Sequence, residues 1–182
     1  ELISVALVSL GYPLNSENPQ ELEAALQHLL DLKPALIFVD DETEKAIPIL
    51  LSGEAVIMVG WPQDGYQARL ENAAIAYVLP EEGNLFWGDT FMIPANSPNK
   101  YTAEVFLNFL LRPEISAQIV NEIYYANANE AAYPVIKPEI LNDPIIYPPA
   151  GVIQKAEWYM PLSPAGEKLY ADIWQRFLAG QP

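Results

Sequence analysis

Trp87 and Asp89 stand two residues apart in the run Phe86-Trp87-Gly88-Asp89. Residues 85–93, LFWGDTFMI, are expected to be extended, and residues i and i+2 of an extended segment project to the same face. The pair therefore sets an aromatic wall beside a carboxylate. An indole packs against methylenes and attracts a cation at its face, while a carboxylate accepts charged hydrogen bonds, so the pair suits an alkylammonium. Trp61 ends the apolar run 55–60, a predicted strand, and open α/β sheets bind ligands beyond the carboxyl ends of their strands. The same residues also fit a blander description, with both tryptophans in the core and Asp89 a turn acid. The pattern alone leaves the two descriptions level.

Catalytic chemistry finds little support. His28 is the only histidine and lies among helical leucines, as a helix-surface residue would; cysteine is absent. A Ser-His-Asp site would have one possible base and no Gly-x-Ser-x-Gly elbow. Gly60, Gly65, Gly83 and Gly88 are isolated, so no phosphate loop forms. One histidine and no thiolate cannot build a His- or Cys-based metal site. The acid run Asp40-Asp41-Glu42-Thr43-Glu44 fits either a Ca²⁺ loop or, preferably, a solvated helix N-terminus favoured by its dipole. No cofactor and no metal are expected. With 24 acidic against 9 basic residues the chain carries a formal charge of -15, a field that repels nucleic acid and attracts cations, or serves solubility alone. Hydrophobic residues make up 51% and charged residues 18%, the balance of a packed globular chain. No apolar run approaches the roughly 18 residues of a membrane span.

The elements that must position these groups follow from periodicity. Leu2, Ile3, Ala6, Leu7 and Leu10 recur at helical spacing before Gly11. Asn18 caps a second helix with Pro19 at its first position and Leu22, Ala25, Leu26, Leu29 and Leu30 as its buried stripe; Lys33-Pro34 ends it. The apolar runs 35–39, 55–60 and 75–79 read as buried strands, and helices are expected near 42–51 and 63–70 between them. Alternation of this kind predicts an α/β sheet covered on both faces. Helices are predicted over 102–111 and from Pro113 to about Tyr124. A Pro-rich irregular stretch precedes Ser163-Pro164, which opens a last helix burying Leu169, Ile173, Trp174 and Phe177 up to Gly180. Residues 1–10 lack a basic leader pattern, and a chain opening inside an apolar helical stripe reads as a piece of a longer one.

The order Gly53-Glu54, Gly60-Trp61, Pro80-Glu81-Glu82-Gly83, Phe86-Trp87-Gly88-Asp89 and Ile93-Pro94 resembles the C-terminal half of periplasmic spermidine/putrescine-binding proteins. Asn99-Lys100, the phrase Asn108-Phe109-Leu110-Leu111-Arg112-Pro113-Glu114, Asn142-Asp143-Pro144 with Tyr147-Pro148, and Glu157-Trp158 continue it, so that it spans the chain from Glu1 to Gly180. The resemblance implies a class II periplasmic-binding-protein-like α/β lobe within an incomplete two-lobe clamp. Residues 1–88 and 126–182 would form mainly the second lobe, and 89–125 would return to a missing N-terminal lobe. It also implies ligand contacts at Glu1, Trp61, Trp87, Asp89, Tyr125 and Tyr159. Trp61 and Trp87 would sandwich the methylenes, and Asp89 and Glu1 would take amino groups. Tyr159 falls where the family has a glutamine contact, which leaves the choice of polyamine open. Pro62-Gln63-Asp64 replaces the Asn or Ser often found after Gly-Trp; Asp64 reads as an added carboxylate or, preferably, a helix N-cap.

The function implied is the substrate-binding component of a polyamine ABC importer, a transport protein and not an enzyme. It would sit in the periplasm or on an extracytoplasmic lipid anchor. Its implied partners are the polyamine, the permease subunits and the missing lobe. Three alternatives stay open. Tyr124-Tyr125 are similar to the paired tyrosines of ferric-iron binders; a small hydrolase with paired acids belongs to another class; a pure interaction domain is the third.

Overall fold

The computed structural model describes residues 1–37 and 43–181. In chain order its helices are α1 (Leu2–Ser9), α2 (Pro19–Leu32), α3 (Thr43–Ser52), α4 (Pro62–Glu71), α5 (Lys100–Leu110), α6 (Pro113–Ile123), α7 (Pro138–Leu141), α8 (Ala150–Ile153) and α9 (Pro164–Ala179). Two short strands, β1 (Leu85–Phe86) and β2 (Glu157–Trp158), and 3-10 turns at Lys33–Ala35 and Glu130–Val135 complete it. The architecture is helix-rich with one small sheet. The chain divides into two compact units, the first comprising Glu1–Asp40, Leu79–Trp87 and Ile153–Pro182, the second Asp41–Val78 and Gly88–Val152.

The first unit is built from three helices whose ends the local sequence specifies. The Asn18 side chain accepts the Gln20 N–H at 2.9 Å with Pro19 at the first helical position, and Ser163 does the same for Gly166 at 3.0 Å ahead of Pro164. Gly180 closes α9 in the left-handed conformation, φ 69°. The expected stripes then meet: Ile3, Ala6 and Leu7 of α1, Leu22, Ala25, Leu26 and Leu29 of α2, and Ile173 and Phe177 of α9 form one buried cluster. Full burial of a side chain such as Leu26 stabilises by about 1.5–3 kcal/mol. Lys33 caps the same C-terminal end of α9 by donating to the Phe177 and Leu178 carbonyls at 2.5 and 2.8 Å.

The second unit packs α4, α6, α7 and the turn at Glu130–Val135 around Tyr66, Ala117, Val120, Ala132, Ile136, Ile140 and Ile146. Within α4, Gly65 is required by close approach: a Cβ there would lie 2.5 Å from Tyr77 Cδ2 and 2.9 Å from Tyr77 Cβ. Amphipathic α5 buries no residue and exposes Tyr101, Val105 and Phe106.

The sheet departs from expectation. The runs 55–60 and 75–79 do not pair as strands; among the described residues the sheet is β1 and β2 alone, in parallel. A strand needs a hydrogen-bonded neighbour and apolar cover. The described residues bring no strand alongside these runs, and Val56, Ile57, Val59 and Val78 stand exposed. Residues 75–80 nevertheless alternate between partly covered and exposed side chains, the period of a strand. Of the run 35–39, Ala35 ends a 3-10 turn, Leu36 and Ile37 are irregular, and Phe38 and Val39 lie outside the described residues. The acid run at 40–44 is likewise outside them, Thr43 and Glu44 being described for their backbone alone. Of the extended segment 85–93 only Leu85 and Phe86 join a ladder.

Candidate ligand-binding site

Three of the six residues expected to touch ligand belong to the first unit. β1 and β2 pair Leu85 with Glu157 and Phe86 with Trp158, and the Tyr159 N–H donates to the Phe86 carbonyl at 2.8 Å. Trp87 and Tyr159 are thus the next residues along a parallel pair, brought side by side from distant stretches of sequence. The edge-to-face contact of Phe86 on Trp158, centroids 4.5 Å apart, backs the pair. Asn15 brackets Tyr159: its amide donates to the Trp158 carbonyl at 2.7 Å, and its side-chain oxygen accepts the Met160 N–H at 2.9 Å. Glu1 occupies the N-cap position of α1, with its side chain exposed.

The other three belong to the second unit. Trp61 is the N-cap of α4 and half-buried. Its N–H donates to Asp64 Oδ2 at 2.9 Å, so Asp64 is not the N-cap expected from the sequence but the third helical residue, whose side chain reaches back to cap the helix start. Asp64 is only 2% exposed. Tyr77 reaches back over Gly65 and donates its hydroxyl to the Gly60 carbonyl at 3.3 Å. Tyr125 follows α6 and is half-buried, and Asp89 lies exposed in an irregular segment. Burial, and then the charges of Asp64 and Asp89, push the Tyr125 phenol up to about 12. Burial first and Asp64 second raise Tyr77 as well. Asp64, Tyr77, Asp89 and Tyr125 therefore form one electrostatic group.

That group is acidic, and among the described residues no ion pair neutralises it. Among the described residues the ion pairs join Arg69 to Asp143, Lys100 to Glu104, and Arg176 to Glu23 and Asp172; Asp64 and Asp89 take part in none. A buried carboxylate held by a backbone N–H, beside a second carboxylate and two phenols, offers acceptors to a cation. No cluster of three metal-ligating side chains occurs among the described residues.

Among the described residues neither Trp61 nor Trp87 joins the two buried clusters; Trp87 is 38% exposed and Trp61 half-buried. The structure brings Trp87 together with Tyr159, and Asp89 with Tyr125. Tyr77 escaped the sequence reading, although a glycine inside a helix, Gly65, was the available sign that a ring lies against it.

The bacterial extracellular solute-binding protein family matches residues 2–148. The spermidine/putrescine-binding periplasmic protein of Escherichia coli is 35% identical over the whole of this chain and 51% of its own length. The putrescine-binding periplasmic protein of the same organism is 32% identical, again over the whole chain and 50% of its own length. Among solved structures, a spermidine/putrescine ABC transporter protein from Listeria monocytogenes superposes with a TM-score of 0.84 at 27% identity, over 98% of this chain and 54% of that one. The spermidine/putrescine ABC transporter substrate-binding protein of Streptococcus pneumoniae gives 0.79 at 27%, over 100% and 56%. The chain spans about half the length of the relatives it matches. No described helix is long and apolar enough to cross a membrane. By the match over most of its length, this chain belongs to the bacterial extracellular solute-binding protein family.

Proposed function

We propose that the chain is the C-terminal half of a polyamine receptor that delivers its ligand to an ABC importer outside the cytoplasmic membrane. The observation that carries this reading is the pair of carboxylates, Asp64 and Asp89, acting on the Tyr125 phenol without a basic partner among the described ion pairs. An ammonium group supplies that missing charge. The parallel pair bearing Trp87 and Tyr159 supplies aromatic surface of the kind methylenes pack on. Trp61 and Glu1 complete the ligand set expected from the sequence.

In this reading the chain forms a class II α/β lobe, mainly residues 1–88 and 126–182, and residues 89–125 return to an N-terminal lobe. The bare apolar face of α5 supports that assignment, since a helix with no buried residue lacks its packing partner. The partners are a polyamine, the N-terminal lobe and the permease subunits, and the location is periplasmic or lipid-anchored. The role is binding and transport, without turnover. Ferric iron fits less well. The Tyr124 ring is engaged in a stack with Tyr66, and a Tyr125 phenol raised to about 12 resists forming the phenolate a metal needs.

Isothermal titration with spermidine and putrescine, at low and moderate salt, tests the proposal on two proteins: the 182-residue chain, and the chain joined to the N-terminal half of a relative. The joined protein is expected to bind, and to lose affinity on Asp89→Asn; the chain alone is expected to bind weakly or not at all. A joined, folded protein that ignores both amines sinks the proposal.

A further inference from the structure

Tyr124 is the one described non-glycine residue with positive φ, 58°, and it sits at the C-cap of α6 with ψ 30°. Glycine usually takes this place, because a Cβ in the left-handed region costs about 1–2 kcal/mol. The chain leaves the helix through this residue, so its conformation sets where the next one, Tyr125, begins.

Tyr124 sits at one end of a stack of side chains from three elements of the second unit. The Tyr124 ring lies on Tyr66 of α4, centroids 4.7 Å apart at 28°. Tyr66 is 6% exposed and part of the buried cluster. The Arg69 guanidinium, one turn further along α4, stands 5.3 Å from the Tyr66 ring and is ion-paired to Asp143. Asp143 is fixed in turn, its Oδ1 accepting the Ile145 N–H at 2.9 Å. A helix needing only a stop would be served by glycine, as α9 is by Gly180.

We infer that Tyr124 is a positioning residue for ligand binding: the Asp143–Arg69–Tyr66 stack locks it in the left-handed conformation that delivers Tyr125 to the group containing Asp64 and Asp89. The inference rests on the proposed role of Tyr125 and adds how that side chain is aimed.

Tyr124→Phe keeps ring and stack, Tyr124→Gly permits the left-handed conformation but removes the stack that locks it, and Arg69→Gln loosens the stack from its outer end. Two readouts separate positioning from mere stability. In ring-labelled tyrosine NMR of the 182-residue chain, without ligand, the Tyr125 resonances are expected to stay in place in Tyr124→Phe. In Tyr124→Gly and Arg69→Gln they are expected to move toward free-tyrosine values. In the joined receptor, spermidine affinity is expected to hold within about twofold for Tyr124→Phe and to fall about tenfold for Tyr124→Gly, a change of about 1.4 kcal/mol. Unmoved Tyr125 resonances in folded Tyr124→Gly or Arg69→Gln overturn the inference. So does unchanged affinity in Tyr124→Gly where Tyr125→Ala abolishes binding. If Tyr125→Ala itself binds normally, it is the proposed role of Tyr125 that fails, and the ring shifts still report on the stack.

Discussion

The two units handle their apolar residues in opposite ways. In the first, the stripes of α1, α2 and α9 close on one another, and Phe177, Leu7 and Leu26 are at most 1% exposed. In the second, a smaller cluster around Tyr66 coexists with bare segments: Ile57 is 82% and Met92 87% exposed. The difference lies in what each kind of element requires. An amphipathic helix satisfies its own backbone and needs only one apolar face to meet it. A strand needs at least one hydrogen-bonded neighbour and, inside a parallel sheet, apolar cover above and below. The helices of the first unit meet one another, whereas the runs at 55–60 and 75–79 have the composition of strands and, among the described residues, no paired neighbour.

The largest expected effect sets the two regions directly against each other. Phe177→Ala empties the centre of the helical cluster and is expected to cost about 3–5 kcal/mol, whereas Ile57→Ala should change the stability of the 182-residue chain by less than about 0.5 kcal/mol. Urea unfolding of both variants gives the values, and equal costs would erase the contrast. Joined to an N-terminal half, the Ile57 variant should become costly, which would date its burial to assembly.

A middle-sized effect tests whether the second unit is tightly packed where it is packed at all. Gly65→Ala drives a methyl group into the Tyr77 ring and is expected to cost about 1–3 kcal/mol by overpacking. Gly151→Ala, with nothing within 4 Å of its added carbon, serves as the control. Thermal melts that fail to separate the two would mean that Tyr77 is loosely held.

The smallest effect is a parallel between the units. Burial is the leading cause that raises Tyr170 in the first unit and Tyr125 in the second, each to about 12, against an ordinary value of 10.0. The raised folded value means that the neutral phenol is favoured by folding. Its contribution is fully present below pH 10 and is lost as pH climbs toward 12. Tyr170→Phe and Tyr125→Phe should each flatten the fall in melting temperature over that window. A variant with the parent's slope would show that its phenol is solvated.

Helix ends were the most legible part of the sequence because they are specified within a few residues: Asn18-Pro19, Ser163-Pro164 and Gly180 each act on their own turn. The apolar stripes of α1, α2 and α9 were legible for the same reason. The sheet was not, since the run 55–60 carries strand composition but no information on who lies beside it. The six candidate ligand residues were named through family resemblance and the Trp87–Asp89 spacing. Their surroundings were beyond reach, because the pairing of β1 with β2 and the approach of Tyr77 to Gly65 join stretches far apart in sequence. Asp64 was legible as a residue of the helix start; its place beside Tyr125 was not.

The ladder carrying Trp87 and Tyr159 is two residues long. A slip of one position would turn every side chain on the slipped strand to the opposite face, and so brief a pairing resists slipping poorly by itself. Asn15 fastens the residues on either side of Tyr159, fixing the count from outside the ladder. A change in the α1–α2 loop that displaced Asn15 would leave the facing of position 159 to those two paired residues alone.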